Sequence, residues 1–263
     1  MTDEIPYTAD RSLYGKLRRR VARVMHVRPA RLDMSRPMVS FTFDDAPGSA
    51  AITGAAILER HNVHGTYFIC AGLMGRPCHL GAYARVDEVK ALAAAGHEIA
   101  CHTFSHLDCG KASSRDIAHE LDRNQQALRN MHLAPSQTFA YPYGDVSRQA
   151  KSLLNTRYLA SRALHHGLIT TGTDLNQTPG VGIEGEDSET TAMHWLRKAA
   201  AVPAWLVLYT HDVRENPSPW GCTPDVFERV VAAACAMGFE IVTYAEGARR
   251  ASGMSAASFN RAA

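Results

Sequence analysis

The sequence has no long apolar run and few cysteines. Its first ten residues contain no apolar stretch of the roughly 7 to 15 residues that a secretory signal needs, and no segment is apolar over the roughly 20 residues of a membrane-spanning helix. The six cysteines form no Cys-x-x-Cys pair, so we expect small buried thiols and no disulfide framework. These absences predict a cytoplasmic chain.

Several functional classes also lack their sequence signals. The net charge of +2 does not favour nucleic acid as a partner. The sequence contains no Gly-rich phosphate loop ending in Gly-Lys-Ser/Thr and no Gly-x-Ser-x-Gly elbow, and its paired aspartates are adjacent, without the Asp-x-Asp spacing of aspartyl phosphatases. We therefore do not expect phosphoryl transfer or serine hydrolysis.

The hydrophobic pattern predicts a single α/β domain. Short apolar runs alternate with stretches of helical period, which is typical of βαβ units and a parallel sheet, and about seven such units favour a distorted (β/α) barrel. The predicted strands are 38–43, 65–70, 98–102, 138–141, 158–162, 205–210 and 240–244. The predicted helices are 50–61, 86–95, 113–132, 147–155, 188–201 and 223–236. A long loop is expected over 167–189, and the domain organisation is an N-terminal extension (1–37), a barrel (38–250) and a tail (251–263).

The N-terminal extension is strongly basic. Residues 11–31 contain eight basic residues and no acidic one: Arg11, Lys16, Arg18, Arg19, Arg20, Arg23, Arg28 and Arg31. Apolar residues recur every four positions at Leu13, Leu17, Val21 and Met25, which predicts a basic amphipathic helix. Two interpretations stay open: docking on an anionic membrane surface, or packing on the barrel base or on a second subunit of a homo-oligomer, with the arginines solvated.

Two predicted strands end in residues that can hold or use a metal ion. The strand 38–43 leads directly into Asp44 and Asp45, and the strand 98–102 leads into His102 and His106. In β/α barrels, catalytic groups come from the C-terminal ends of the strands. Adjacent strand residues point to opposite faces, so the two aspartates share a site only if the following turn brings them together. Taken alone, the aspartate pair is also typical of a turn and helix cap.

Two further strand ends carry candidate residues. The strand 138–141 turns through Pro142, Tyr143 and Gly144, and such a turn can aim a backbone N–H at a reacting carbonyl oxygen. The strand 205–210 is followed by His211, although a lone histidine in that position is often structural. The combination of four strand ends is more informative than any one of them.

In this chain order the four segments resemble the polysaccharide deacetylase family, the chitooligosaccharide deacetylase homology domain of carbohydrate esterase family four. The family's Thr-Phe-Asp-Asp, His-(Ser/Thr)-x-x-His, Pro-Tyr and Leu-x-x-His motifs correspond to 42–45, 102–106, 142–143 and 208–211. The resemblance extends from about residue 38 to residue 250.

The resemblance implies specific roles for these residues. It implies a divalent ion, most consistent with Zn²⁺ but open to Co²⁺, Ni²⁺ or Mn²⁺, held by Asp45, His102 and His106. It also implies that Asp44 is the catalytic base and His211 the catalytic acid. Tyr143 would supply its backbone N–H to the oxyanion, and Pro142 would lie beside the substrate.

Two of the family's features are missing. No arginine precedes the Pro-Tyr turn, so Arg162, at the end of the strand 158–162, is the candidate that orients Asp44; alternatively, it extends into solvent. No Asp-x-x-Asp-Trp segment is present, which leaves Asp174 or Asp212 as candidate partners of His211. The candidates for the wall of the acyl pocket are Leu208, Trp205 and Trp220.

The expected activity is hydrolysis of an N-acyl group, typically N-acetyl, on an amino-sugar-containing saccharide. Two alternatives stay open: an amidase acting on a small linear or cyclic amide that is not a carbohydrate, and a catalytically silent barrel that binds glycan.

Overall fold

The computed structural model describes residues 13–253, except for the side chains of 13, 14 and 16–19. Its strands are β1 (Met38–Phe43), β2 (Thr66–Ile69), β3 (Pro77–Cys78), β4 (Gly81–Ala82), β5 (Glu98–Cys101), β6 (Phe139–Ala140), β7 (Ser161–Arg162), β8 (Val181–Gly182), β9 (Trp205–Thr210) and β10 (Glu240–Ile241). Its α-helices are α1 (Leu13–Val24), α2 (Ala55–Arg60), α3 (Val86–Ala94), α4 (Ser114–Asn130), α5 (Arg148–Arg157), α6 (Ser188–Ala200), α7 (Pro224–Ala236) and α8 (Tyr244–Ser252). A π-helical turn (Ala50–Gly54) precedes α2, and a 3-10 turn (Pro142–Gly144) follows β6.

The main sheet is parallel and curled. Its strands run in the order β7-β6-β5-β2-β1-β9-β8, and β10 pairs with the first residues of β1. A parallel bridge between Arg162 and Thr178 joins the end of β7 to the segment that enters β8. The seven-strand path therefore bends back on itself, which confirms the predicted distorted barrel.

Alternation along the central strands separates the inside of the barrel from the helix layer. Val39, Phe41 and Phe43 of β1 belong to the apolar cluster that packs against α2, α3, α6 and α7. Trp205, at the start of β9, points inward instead and donates its indole N–H to Ser40 Oγ (2.9 Å). Successive residues of a strand face opposite sides, so the residues after β1 and β9 continue this alternation toward the barrel mouth.

Four of the helices begin at a hydroxyl cap. The side chains of Ser113, Ser147, Thr223 and Thr243 each accept a hydrogen bond from the backbone N–H three residues later. Such caps satisfy one of the four unpaired N–H groups at a helix start. They fix the points at which the chain leaves the strand-end loops and enters the outer layer.

Three elements depart from the sequence-based prediction. Strand β8 lies within the segment 167–189 that was expected to be a loop, because two residues are too few for a periodic signal. The hairpin β3–β4 was not predicted for the same reason, since each of its strands has only two residues. Helix α8 occupies 244–252 where no helix was predicted; its buried face consists of small residues and one tyrosine, and it ends at Gly253 in the left-handed conformation (φ +67°).

The chain before β1 packs on the barrel. Lys151 of α5 donates from Nζ to the carbonyl of Ala22 (2.7 Å), near the end of α1, and Arg28 donates to the carbonyl of Leu159 (2.6 Å). Ala30 N donates to Thr173 O (2.7 Å), and Arg31 N donates to Ala251 O (2.6 Å). Residues 1–12 of the predicted extension and 254–263 of the predicted tail lie outside the described residues.

Within 13–253, no helix combines the length and the apolar character that crossing a bilayer requires. All six cysteines are free thiols, and four of them are buried.

Candidate active site

The C-terminal ends of β1 and β5 bring three metal-binding side chains together. Candidate ligand atoms of Asp45, His102 and His106 all lie within 4.8 Å of one another. Asp45 Oδ1 is 3.8 Å from His102 Nε2 and 3.5 Å from His106 Nε2. The two imidazole rings lie 5.0 Å apart, inclined at 60°. Among the residues that the structure describes, this is the one group of three or more such side chains with this geometry.

Backbone conformation explains how both adjacent aspartates reach the site. The chain leaves the extended conformation after Asp44: Asp45 has φ +58° and Ala46 has φ +43°. This left-handed turn is uncommon for residues with a side chain, and it returns Asp45 to the side that Asp44 already faces. Thr103 (φ +64°) and His106 (φ +60°) adopt the same region in the second loop. The predicted turn therefore exists, although it begins at Asp45 itself.

Hydrogen bonds orient the two histidines. His102 Nδ1 lies 2.8 Å from the carbonyl of Ala140, so Nδ1–H donates there and the Nε2 lone pair is directed at Asp45. The loop that carries His106 is held by the buried carboxylate of Glu120, which accepts from the backbone N–H groups of Phe104 (3.0 Å) and Ser105 (2.7 Å). Both imidazoles are thus positioned before any ligand binds.

The electrostatics of the group suit a cation. Burial lowers the pKa of His102 to about 4, which keeps its imidazole neutral near pH 7. Burial alone would raise the pKa of Asp45, but the neighbouring His106 and His102 hold it below its ordinary value. The site therefore presents an anionic carboxylate and the lone pair of His102 at neutral pH.

The second aspartate is paired with a buried arginine. Arg162 Nη2 forms an ion pair with Asp44 Oδ1, and both side chains are almost completely buried, at 0% and 4% exposure. The guanidinium also lies over the rings of Tyr209 (4.8 Å) and Phe68 (5.3 Å). Burial alone would raise the pKa of Asp44, but Arg162, then His102 and His211, hold it below its ordinary value. The structure thus places Arg162 where an arginine would orient Asp44, and not in solvent.

The Pro-Tyr turn lies beside the metal-binding group. Pro142 is buried, and Tyr143 is 41% exposed with φ +59°. The Tyr143 ring stands edge-on to His106, with ring centroids 4.4 Å apart and planes inclined at 73°. The turn therefore brings its backbone and one aromatic side chain to the rim beside His106.

His211 lies at the end of β9, but neither predicted carboxylate partner reaches it. Its Nδ1 is 3.2 Å from the carbonyl of Trp220, which is the partner that the structure provides. Asp212 instead accepts from Arg214 Nε (2.7 Å) and from the backbone of the same loop, and Asp174 accepts from Lys151 Nζ (2.5 Å). Each carboxylate already binds a cation of its own, which is why neither turns to the histidine.

The predicted pocket wall is only partly at the site. Trp205 is buried at the first residue of β9, at the opposite end of the barrel, where it packs on Tyr244 with ring centroids 5.1 Å apart. Leu208 faces the outer helix layer because it shares the alternation of Leu206. Trp220 lies on the rim, 41% exposed, with its ring 5.0 Å from that of His79 in the β3–β4 hairpin.

Two residues at this end of the barrel escaped the sequence analysis. Tyr209 is the inward-facing residue nearest the end of β9, and strict alternation from Trp205 would have identified it. Its hydroxyl donates to Glu184 Oε1 (3.1 Å). Glu184 follows β8, the strand that the sequence analysis took for part of a loop, so no strand end marked it as a candidate.

The three clustered side chains fit a divalent ion. Ligand atoms that each lie about 2.1 Å from one ion are at most about 4.2 Å apart, and the carboxylate-to-imidazole distances of 3.8 and 3.5 Å satisfy that limit. One carboxylate and two imidazoles leave coordination positions open for exchangeable ligands. His102 donates its other ring N–H to a backbone carbonyl, as metal-binding histidines commonly do.

Comparisons with known proteins match part of the chain to the same family. Residues 31–159 match the family model for polysaccharide deacetylases. The chain is 28% identical over 112 residues to the peptidoglycan-N-acetylglucosamine deacetylase PgdA of Listeria monocytogenes, which is 42% of this chain and 22% of that protein. It is 31% identical over 96 residues to the chitooligosaccharide deacetylase of Sinorhizobium fredii, which is 35% of this chain and 40% of that protein. The matched regions therefore cover less than half of these relatives' length.

The fold extends the likeness beyond the matched segment. The structure of a Mycobacterium smegmatis protein described as a polysaccharide deacetylase superposes with a TM-score of 0.66 and 18% identity, over 86% of this chain and 95% of that one. The family match ends before Arg162, Glu184 and His211. Residues 31–159 therefore carry a polysaccharide deacetylase domain match, with the low identity to known members that a divergent branch of that family has.

Proposed function

We propose that this protein is a divalent-metal-dependent hydrolase that removes an N-acyl group, typically acetyl, from an amino-sugar-containing saccharide. The observation that carries the proposal is the juxtaposition of two differently equipped aspartates. Asp45 lies among two imidazoles, whereas its neighbour Asp44 is paired with Arg162. One carboxylate can hold an ion while the other stays free to accept a proton.

Asp45, His102 and His106 would hold the ion, and Zn²⁺ suits this mixture of nitrogen and oxygen donors. When bound, such an ion supplies Lewis-acid chemistry, which polarises an acyl carbonyl and makes water more acidic. The remaining steps fall to side chains that need no ion for their placement.

Asp44 is suited to act as general base because its pKa lies below its ordinary value, so it is ionised at neutral pH. It would accept a proton from the attacking water as the water oxygen bonds to the acyl carbon. Arg162 fixes the orientation of the carboxylate through its Nη2 contact. Proton transfer by a positioned base contributes about 10²- to 10⁴-fold to a rate.

His211 would protonate the leaving nitrogen as the C–N bond breaks. The carbonyl of Trp220 engages Nδ1, which leaves Nε2 for the substrate. The turn at Tyr143 would present its backbone N–H to the developing oxyanion. Products of the balanced reaction are a carboxylic acid and a free amine on the sugar.

The test combines metal content with activity. We expect purified protein to contain about one divalent ion per chain and to release acetate from N-acetylated glucosamine oligosaccharides. The His102→Ala variant should lose both properties, whereas His119→Ala, on the exposed face of α4, should keep both. Equal metal content and equal activity in the two variants would contradict the proposal.

The same assay separates the two alternatives. Bound metal with hydrolysis of simple amides and none of N-acetylated sugars would indicate an amidase for non-carbohydrate substrates. Oligosaccharide binding without hydrolysis at any metal loading would indicate a silent glycan-binding barrel.

A further inference from the structure

Glu184 extends the candidate active site beyond the expected residues. It lies two residues after β8, next to the end of β9, where Ile183 N donates to Tyr209 O (2.7 Å). Its side chain folds back over Gly182: a Cβ atom at that position would lie 2.8 Å from the Glu184 carboxyl carbon. The absence of a side chain at Gly182 thus lets the carboxylate reach the inside of the rim.

The two carboxylate oxygens of Glu184 differ in their surroundings. Oε1 accepts the hydroxyl hydrogen of Tyr209 (3.1 Å). Oε2 is shielded from solvent, and no described residue donates a hydrogen bond to it. The charged groups that act on Glu184 are His211, Asp44 and Arg162, which are three members of the candidate catalytic set. The unpartnered oxygen is therefore in the catalytic neighbourhood.

Leaving a shielded acceptor without a donor is unfavourable, so a ligand that supplies a donor there gains binding free energy. Arg162 does not complete this one: its Nη2 contacts Asp44, its Nη1 donates to the carbonyl of Ala163 (3.4 Å), and its Nε donates to no described residue. The Tyr209 hydroxyl has a single hydrogen to donate, and Oε1 already receives it. A bound molecule can therefore supply the donor that Oε2 lacks among the described residues.

We propose that Glu184 Oε2 binds a hydrogen-bond donor of the substrate, a hydroxyl or ammonium group next to the scissile amide, and so determines which saccharides are accepted. This inference rests on the proposed function and adds a specificity-determining residue to it. A carboxylate in this position also disfavours substrates that carry an acidic group there, because like charges repel. Tyr209 acts as a positioning residue, since its hydroxyl fixes the other oxygen.

The test uses two variants and three kinds of substrate. Glu184→Gln keeps an acceptor oxygen without charge, and Glu184→Leu removes both; Glu186→Gln, exposed on the same loop, is the matched control. The substrates are the N-acetylglucosamine disaccharide, its analogues lacking one ring hydroxyl each, and the disaccharide with one free amine. Metal content and unfolding midpoint are measured for each variant, so that misfolding is detected.

For a hydroxyl donor, Glu184→Leu should lower kcat/KM about ten- to a hundredfold, and Glu184→Gln should lower it much less. One deoxy analogue should then be as poor a substrate for the native protein as the full disaccharide is for Glu184→Leu. For an ammonium donor, both variants should lose activity equally, and only on the disaccharide with the free amine. Glu186→Gln should match the native protein throughout.

The inference is overturned if both Glu184 variants match Glu186→Gln on every substrate while the native protein is active; the proposed function then stands. If the native protein hydrolyses none of these sugars, the proposed function fails. In that case, calorimetric titration of the native protein and of Glu184→Leu with the disaccharides tests whether Glu184 contributes to saccharide binding. Equal Kd values for the native protein and Glu184→Leu would overturn the inference.

Discussion

The ion pair between Arg162 and Asp44 leads to a quantitative prediction about stability. Replacing Arg162 with Met keeps an unbranched apolar stem but removes the guanidinium, which leaves the Asp44 carboxylate buried without its cation. Removing one partner of a buried pair destabilises a protein by about 3–5 kcal/mol, because the remaining charge stays desolvated. For a chain of this size that corresponds to a fall in Tm of roughly 6–20 °C.

The pH dependence of this effect has a definite sign. In the native protein the pKa of Asp44 is lowered, so its contribution to stability is present above the unfolded value of 3.8 and is lost as the pH falls through the folded value. Without Arg162, burial raises this pKa, and Asp44 takes up a proton at higher pH. The stability difference between native and Arg162→Met protein should therefore shrink as the pH is lowered from 7 toward 4.

The assay is urea unfolding of metal-free protein at several pH values, with two further variants. Asp44→Asn in the Arg162→Met background should restore part of the stability, because it removes the unpaired charge. Arg229→Met removes an exposed ion pair with Glu189 and should change the free energy of unfolding by less than about 1 kcal/mol. If Arg162→Met were no worse than Arg229→Met at pH 7, or if Asp44→Asn gave no rescue, the buried pair would not have the role assigned to it.

Three further predictions concern other parts of the structure. Lys151→Met should destabilise the protein by about 3 kcal/mol or more and increase proteolysis near α1, because it removes a buried cation that binds both a helix carbonyl and a carboxylate. Lys90→Met, at an exposed position, is the control. Equal unfolding midpoints for the two variants would refute this role of Lys151. Gly110→Ala should lower the unfolding midpoint more than Gly48→Ala does. A Cβ atom at Gly110 would overlap the carboxylate of Asp145, whereas the nearest neighbour of a Cβ atom at Gly48 would be 3.6 Å away. An equal effect at both positions would contradict this expectation. In metal-free protein, His102 is harder to protonate in the folded state than in the unfolded state, because burial lowers its pKa to about 4. The free energy of unfolding, measured by urea titration, should therefore fall by about 3 kcal/mol as the pH drops from 6.5 to 4. His102→Gln should reduce this dependence of the free energy of unfolding on pH.

The parts of the fold that the sequence predicted are those with a long, regular pattern. The strand 38–43 and the strand 205–210 have the predicted bounds because six consecutive buried residues give an unmistakable signal. Short elements such as β8 give no such signal, since pairing with a neighbour, and not local preference, makes two residues a strand. The family resemblance identified which strand ends matter, and that information is independent of the accuracy of the boundaries.

Candidate site residues could likewise be predicted where they lie next to strands with a regular sequence pattern. Motif spacing led to the cluster of Asp45, His102 and His106, because all three lie next to well-predicted strand ends. The partner of His211 could not be predicted, since it is a backbone carbonyl, which any residue could provide at that position. Glu184 was missed because its side chain folds back over Gly182 to reach the rim, a contact that leaves no mark in the sequence pattern.

Hydrogen bonds between residues far apart in the sequence hold the base of the barrel together, and they constrain the order of folding. The backbone N–H of residue 31 donates a hydrogen bond to the carbonyl of residue 251, which lies near the other end of the sequence. The N–H of residue 30 donates to the carbonyl of residue 173. During synthesis, residue 31 can therefore reach its native acceptor only after α8 has been made. Contacts between such distant residues slow folding, so barrel closure at the base is expected to be a late event, after the β1–β2–β5 core has assembled.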